Sequence, residues 1–293
     1  MEKKEVYFTR NITSENLVKI YEKLDKKLEG KVAVKISTGE KGGHNFLQPN
    51  LIKDIVKHLN GTIVECNTAY EGKRLRTEDH LQTVKDHGFT AIADVDIMDS
   101  DGDMPIDVKD GKHLKVNYVG KNLENYDSML VLSHFKGHPM GGFGGALKNE
   151  SIGIASGSGK CHIHTAGKTN KIEEMFDNFA KQEHFLECMA EACSSVIDFM
   201  NNNIVYINVL NNISVDCDCN AHPKDPSMKD IGILASTDPV AVDKACLDLI
   251  YSAIDDGKYE IIERIGKQKG AYLLDYAEEI GLGSKDYELI NID

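Results

Sequence analysis

A glycine- and histidine-rich stretch from Ser133 to Thr165 constrains this chain more than any other segment. It reads SHFKGHPMGGFGGALKNESIGIASGSGKCHIHT and holds few of the long apolar side chains that a core requires. Glycine is costly in ordered backbone, and it is tolerated where main-chain N–H groups must approach a ligand closely. The stretch therefore predicts a site for a phosphate-bearing cofactor, a metal ion, or both.

Length and composition predict a globular protein. The chain has 293 residues, of which 41% are hydrophobic, enough for one large domain or two ordinary ones. It contains no run of about eighteen apolar residues and no apolar run after its charged N-terminus, so neither a membrane span nor a signal peptide is expected, and a cytoplasmic location follows. The net charge of -13 argues against nucleic acid or an anionic membrane as a partner.

Strand-like and helix-like patterns alternate along the chain. VAVKIS and TIVECN, beginning at Val32 and Thr62, are apolar segments that each lead into a polar loop and then a helical pattern. This repetition predicts an α/β fold with a mainly parallel sheet, helices on both faces, and two α/β lobes with a cleft between them. Residues 1–168 are expected to form an N-terminal lobe that ends in the cofactor loop, and residues 169–293 a C-terminal lobe. A long helix is expected over 171–200 and a long strand over 204–219.

Three histidines and a lysine of the 133–165 stretch are candidates for chemistry. Neutral imidazole is the commonest metal ligand of proteins and the usual proton-transfer group near neutral pH. On an extended backbone His162 and His164 would point the same way, and one of them is expected to bind the metal. Lys148 lies between glycines and the apolar segment SIGIA, where shielding favours a nucleophilic amine. Solvated loop side chains are the alternative for all of these residues.

The residues predicted to hold the cofactor share small size or positive charge: Lys148, Gly142, Gly144, Gly145, Ser156, Gly157, Ser158 and Lys160. The run GSGK within this set resembles a phosphate-binding loop but lacks the spacing of a Walker loop. Arg74, in the polar loop after the third expected strand, is predicted to bind a substrate carboxylate, because a guanidinium matches carboxylate geometry. A solvated basic turn is the alternative for Arg74.

Seven cysteines in a chain without a secretory signal argue against disulfides. Most are expected to pack as small hydrophobic residues. Cys161, Cys217 and Cys219 are the exceptions, because polar and ligand-type residues surround them. Together with two histidines they form the candidate metal set: His164, His162, Cys161, Cys217 and Cys219. A structural zinc site needs four ligands, and the CDCNAH group lacks a second pair at suitable spacing. Cysteine runs of the ferredoxin type are missing as well.

The strings SHFKGHPMGGFGGALKNESIGIASGSGKCHIH, NISVDCDC and ILASTDPVAVDKACLDL resemble the family catalogued as domain of unknown function 362. The resemblance runs along nearly the whole chain. Longer members of that family often carry a ferredoxin-type iron–sulfur domain, which implies a ferredoxin-type redox partner. The family has no settled activity, so membership implies no particular reaction for this chain.

A shorter segment is similar to the nickel-dependent lactate racemases. His138-Pro139 begins it, a glycine-rich run follows, and Lys148 and His164 end it at the racemase interval. The resemblance implies that Lys148 holds a nickel pincer nucleotide covalently, that His164 binds nickel, and that His138 is an acid/base at the substrate carbon. The racemase loop that supplies a second acid/base histidine corresponds to residues 71–77 here, which contain none.

These observations favour a cofactor- or metal-dependent enzyme that resembles lactate racemase. It would act by proton or hydride transfer on a small hydroxy acid or similar anion, as a racemase or an oxidoreductase. The cofactor implied is a nickel pincer nucleotide, with another metal or an iron–sulfur cluster as the alternative. The alternative function is a non-catalytic metal or iron–sulfur binding protein or redox partner, built on Cys161, His162, Cys217 and Cys219.

Overall fold

The computed structural model describes residues 3–293. Its strands are β1 (Lys4–Thr9), β2 (Val32–Lys35), β3 (Thr62–Glu65), β4 (Val95–Ile97), β5 (Asp103–Asp107), β6 (Val116–Gly120), β7 (Ser128–His134), β8 (Lys136–His138), β9 (Gly142–Gly144), β10 (Ile204–Leu210), β11 (Gly232–Ser236) and β12 (Tyr287–Asn291). Its α-helices are α1 (Ser14–Lys23), α2 (Pro49–His58), α3 (Thr77–Asp86), α4 (Ala146–Ile154), α5 (Gly157–His164), α6 (Ile172–Met175), α7 (Gln182–Phe199), α8 (Pro239–Ser252), α9 (Lys258–Lys267) and α10 (Tyr272–Glu279).

Eight strands form one sheet in the order β12-β1-β11-β10-β7-β2-β3-β4. Among residues 3–293, five of the seven neighbouring pairs are parallel, and only β11 runs antiparallel to its neighbours β1 and β10. The predicted mainly parallel α/β fold is confirmed. β5 with β6, and β8 with β9, form two separate hairpins.

Helices cover both faces of the sheet, as predicted. Successive strand residues point to opposite faces, so Leu130 and Leu132 pack with one apolar cluster while Met129 and Val131 pack with the other. The first cluster lies under α1, α2 and α3, and the second under α4, α5, α7 and α8. No helix within residues 3–293 is long and apolar enough to cross a membrane.

The sheet contains strands from both sides of residue 168. β7 pairs with β10, and β1 pairs with β11 and β12, so residues 1–168 and 169–293 share one set of backbone hydrogen bonds. The division into two lobes stays a prediction, and the sheet is continuous across it.

Two segments differ from their predicted structure. The helix expected over 171–200 is interrupted: α6 ends at Met175 and α7 begins at Gln182, with the backbone N–H of Ala180 donating to the His164 carbonyl at 2.9 Å. The strand expected over 204–219 ends at Leu210, because Asn212 adopts a left-handed conformation with φ of +46°. The chain then forms a loop up to β11.

The carboxyl ends of β2, β3, β7 and β10 meet at one edge of the sheet. Ligands of open parallel sheets sit outside this edge. The chain places four connections there: the loop before α2, the loop before α3, the β8–β9 hairpin with α4, and the loop that follows β10.

Candidate functional site

A cavity of about 560 Å³ lies at this edge of the sheet. Three of the residues singled out in the sequence line it together: His138 at the end of β8, Lys148 in the first turn of α4, and His164 at the end of α5. Cys217 and Cys219 reach it from the loop after β10. Residues up to 81 positions apart in the sequence thus converge, because the strands that precede them are neighbours in the sheet.

His138 is held in one tautomer by the backbone. Its Nδ1 atom accepts hydrogen bonds from the N–H groups of Met140, at 3.2 Å, and Gly141, at 2.9 Å. Because a backbone N–H only donates, the neutral ring carries its proton on Nε2. Burial, followed by the charge of Lys148, lowers the pKa of His138, so the ring is neutral near pH 7. His138 is therefore a hydrogen-bond donor at Nε2.

His164 is held in the opposite tautomer. Its Nδ1 atom lies 2.7 Å from the Lys160 carbonyl oxygen, which only accepts, so the proton is on Nδ1 and the Nε2 lone pair is free. Burial lowers the pKa of His164 to about 4, and the nearby charges of His138 and Lys148 act in the same direction. The ring stacks on Phe185 at 4.7 Å. A neutral imidazole oriented through Nδ1 by a carbonyl is the usual state of a metal-binding histidine.

His162 and Cys161 are placed differently from the other candidates. The extended backbone expected at His162 and His164 is wrong, because residues 157–164 form α5, on which positions i and i+2 point to different sides. His162 packs edge-on to Tyr118 at 5.3 Å. Cys161 packs with Ala69 and Met175, and burial raises its pKa to about 11. Within the described residues 3–293, neither His162 nor Cys161 lines the cavity.

Lys148 is the lysine of the cavity with a free amine. Its side chain is half-buried, and its Nζ atom makes no hydrogen bond or ion pair with any residue from 3 to 293. The N-terminus of α4, in the same turn as Lys148, is capped by the buried carboxylate of Asp243, which accepts from the backbone N–H groups of Ala146 at 2.7 Å and Leu147 at 3.0 Å. This cap fixes the helix that presents the amine.

The glycines predicted to hold a cofactor are buried in the β8–β9 hairpin and its junction with α4. A Cβ atom on Gly145 would lie 2.2 Å from the Asp243 carboxylate, so glycine is required for the cap. Gly142 has φ of +82° and packs on Gly270, and Gly144 pairs with Lys136 across the hairpin. None of the three lines the cavity within the described residues.

The GSGK run forms the start of α5 rather than a loop. The Ser156 hydroxyl caps the helix by accepting from the Gly159 N–H at 3.1 Å, and the Gly157 N–H donates to Asp99 at 3.2 Å. Ser158 is half-buried on the same helix. Of this run, Lys160 lines the cavity, and its amine donates to the Ala155 carbonyl.

The middle residue of Cys217-Asp218-Cys219 anchors this loop. The buried Asp218 carboxylate pairs with His134 Nδ1 and with Lys136 Nζ, each at 2.8 Å, at the junction of β7 and β8. The two cysteines on either side line the cavity, where a ligand atom from each lies within 4.8 Å of one from His138. A hydrogen bond from the Cys219 thiol, with the charge of Lys148, lowers the pKa of Cys217.

Arg74 lines the cavity but already has acidic partners. Its guanidinium lies 3.5 Å from Glu40 and 3.3 Å from Glu65, and donates to the Tyr70 hydroxyl at 3.2 Å. Two buried carboxylates therefore balance the single charge of Arg74.

Lys35 is a cavity residue that the sequence reasoning missed. Its amine donates to the Ile36 carbonyl at 2.6 Å and to Asn149 Oδ1 at 2.8 Å, and burial lowers its pKa to about 7. The sequence feature that points to Lys35 is its position within the apolar segment VAVKIS, since buried lysines are rare unless they are partnered. Lys35, Lys148 and Lys160 together make the cavity basic in a chain of net charge -13.

Comparisons with known proteins place this chain among related sequences and folds. The sequence profile described as Domain of unknown function (DUF362) matches residues 32–248. No curated protein matches the chain. The solved structure of the lactate racemase apoprotein from Thermoanaerobacterium thermosaccharolyticum is similar with a TM-score of 0.48 and 14% identity, over 84% of this chain and 57% of that chain.

A crystal structure from Thermotoga maritima, determined by a structural genomics consortium, is similar with a TM-score of 0.41 and 15% identity. The similarity covers 67% of this chain and 50% of that chain. This chain thus spans between half and three-fifths of the length of these two neighbours.

Proposed function

This chain belongs to the family described as domain of unknown function 362, and we propose that it is a metal- and cofactor-dependent enzyme acting on a small hydroxy acid or similar anion. The observation that carries the proposal is that the Lys148 amine, the His164 ring and the Cys217 and Cys219 thiols line one cavity. Its volume of about 560 Å³ lies in the range of small-molecule sites.

The cavity residues fit a covalently held, nucleotide-derived metal cofactor. The Lys148 amine makes no hydrogen bond or ion pair with residues 3–293, and covalent attachment requires such an unengaged amine. His164 offers its Nε2 lone pair to a metal, and the thiols suit a soft or borderline ion such as nickel. When bound, such a group would supply an acceptor for hydride or electrons. A nickel pincer nucleotide, attached through Lys148, is the cofactor we propose.

The substrate side of the cavity favours an anion. The amines of Lys35 and Lys160 line the same cavity as Lys148. Of the two carboxylate residues that also line it, Glu65 is engaged by Arg74 and His80, and Asp216 accepts from the backbone N–H of Lys224. His138, protonated at Nε2, is positioned to donate to an oxygen that gains negative charge. We therefore assign anion binding to the three lysines. We assign to His138 the stabilisation of the substrate oxygen that gains negative charge when a proton or hydride is transferred at the carbon bonded to it.

Substitution of Lys148 tests this assignment. Lys148→Ala should abolish retention of metal and nucleotide in protein purified anaerobically. Lys148→Arg should lose them equally, because a guanidinium keeps the charge but cannot form the covalent link. The matched control is Lys168→Ala, an exposed lysine outside the cavity lining, which should retain both. If Lys148→Ala keeps a bound cofactor and activity, the proposed function is wrong.

A second function, non-catalytic binding of a metal or iron–sulfur group, is favoured by the Cys217 and Cys219 thiols, whose sulfur atoms lie within 4.8 Å of each other. Elemental analysis separates the two functions. Iron or zinc that is lost in Cys217→Ser/Cys219→Ser but retained in Lys148→Ala supports the binding protein. Nickel lost in Lys148→Ala supports the enzyme.

A further inference from the structure

A second group of metal-ligand side chains lies outside the cavity. The connection between β5 and β6 places His113 beside the first turns of α7, which carry His184 and Glu187. Ligand atoms of these three side chains all lie within 4.8 Å of one another. His184 and Glu187 are three positions apart, so they project from the same face of the helix. None of the three lines the 560 Å³ cavity.

We propose that His113, His184 and Glu187 bind a divalent transition-metal ion, for which Zn²⁺ is the best match. Two imidazoles and one carboxylate, with water in the fourth position, are an established ligand set of zinc. The two imidazole rings lie 4.7 Å apart at 35°. The His184 ring makes no hydrogen bond to any residue between 3 and 293, so a nitrogen lone pair is available.

The surroundings of Glu187 supply the outer contacts that a metal site needs. One carboxylate oxygen, Oε2, faces His113 Nε2. The other, Oε1, accepts the Tyr272 hydroxyl at 2.7 Å and Lys112 Nζ at 2.8 Å. Carboxylates that bind metals are commonly oriented by such hydrogen bonds. An ion bound through Oε2 would tie the 108–115 connection to α7 and, through Tyr272, to α10.

Lys112 is the group that opposes a bound cation. Its side chain is 57% exposed, whereas those of His113 and Glu187 are 14% and 3% exposed. The ammonium can therefore move into solvent when an ion arrives, while the ligands stay in place. In the metal-free protein Lys112 balances the Glu187 charge. Replacing Lys112 with an uncharged residue should therefore strengthen binding of the ion.

Zinc titration of the full chain tests the proposal. The parent for this experiment carries Cys217→Ser and Cys219→Ser, so that the cavity thiols do not bind the probe. Competition with a chromophoric chelator should give one Zn²⁺ per chain, and His184→Ala should weaken its binding by at least about tenfold. His58→Ala, an exposed histidine on α2, is the matched control and should change nothing. Equal affinity in His184→Ala, or no zinc binding by the parent, would overturn the proposal.

Lys112→Met provides a second measurement that does not depend on removing a ligand. It should tighten zinc binding severalfold in the same assay, and unchanged or weaker binding contradicts the site. These outcomes do not involve Lys148, so the site and the proposed function can fail independently.

Discussion

Two histidines in the same glycine-rich stretch hold their protons on opposite nitrogens. His138 meets two backbone donors through Nδ1, whereas His164 meets a carbonyl acceptor through the same atom. The sequence predicts both residues as site histidines, because residue types are visible in it. It does not predict the tautomers, because these depend on where the β8–β9 hairpin and the last turn of α5 direct their backbone groups.

Glu150 shows how burial sets charge at a single residue. Its carboxyl group is fully buried, with Oε1 accepting from the Tyr206 hydroxyl at 3.3 Å and Oε2 without a partner in residues 3–293. Burial raises the pKa of Glu150 from its ordinary 4.5 to about 8. The folded state thus binds this proton more tightly than the unfolded state, and stability falls as pH rises from about 4.5 to about 8.

Glu150→Gln should remove this dependence on pH. Relative to the wild type, the free energy of unfolding of the variant should rise by up to about 1.4 kcal/mol for each pH unit across that window. Urea unfolding between pH 5 and pH 9 measures the difference. Glu124→Gln, at an exposed position, is the control and should run parallel to the wild type. A Glu150→Gln curve that is also parallel would mean that the carboxyl group is charged in the folded state.

At the scale of the element, apolar strands were predictable and the site helices were not. The apolar segments VAVKIS and TIVECN begin at the first residues of β2 and β3, and each extends two residues past the observed end of its strand. GSGKCHIH has two glycines and little helical amphipathicity, and it forms α5 because Ser156 caps it and Gly159 lies against the Tyr118 carbonyl. The Ser156 cap is local, whereas the Tyr118 carbonyl belongs to β6, and a local sequence pattern does not reveal that contact.

Gly145→Ala tests whether the α4 cap positions the site. The new Cβ would meet the Asp243 carboxylate at 2.2 Å, forcing the cap or the helix to move. We expect a loss of about 1–3 kcal/mol in the free energy of unfolding, together with weaker cofactor retention at Lys148. Gly266→Ala, in α9 with nothing within 4 Å of the added Cβ, should be neutral or slightly stabilising. Similar stability of both variants would contradict the role of the Asp243 cap.

At the scale of the whole molecule, the sheet topology brings the site together. Alternating strands and helices predict the α/β class and the edge where ligands sit. The proximity of His138 to Cys217, 79 residues later in the chain, depends on the pairing of β7 with β10 and on the Asp218 anchor. A single sequence does not reveal such long-range pairing.

The basic cavity is also a property of the whole chain. Net charge is a sum over all residues, and the value of -13 gives no sign of three lysines that line one cavity. Those lysines come from β2, α4 and α5, which are separate in sequence and adjacent at the carboxyl edge of the sheet.

The most direct measurement is the intact mass of the chain purified anaerobically from its native host, followed by peptide mapping. We predict a nucleotide-derived mass on the peptide that contains Lys148, accompanied by a metal that is lost when His164 is replaced by alanine. An active protein in which Lys148 is unmodified and no metal is present would contradict this prediction.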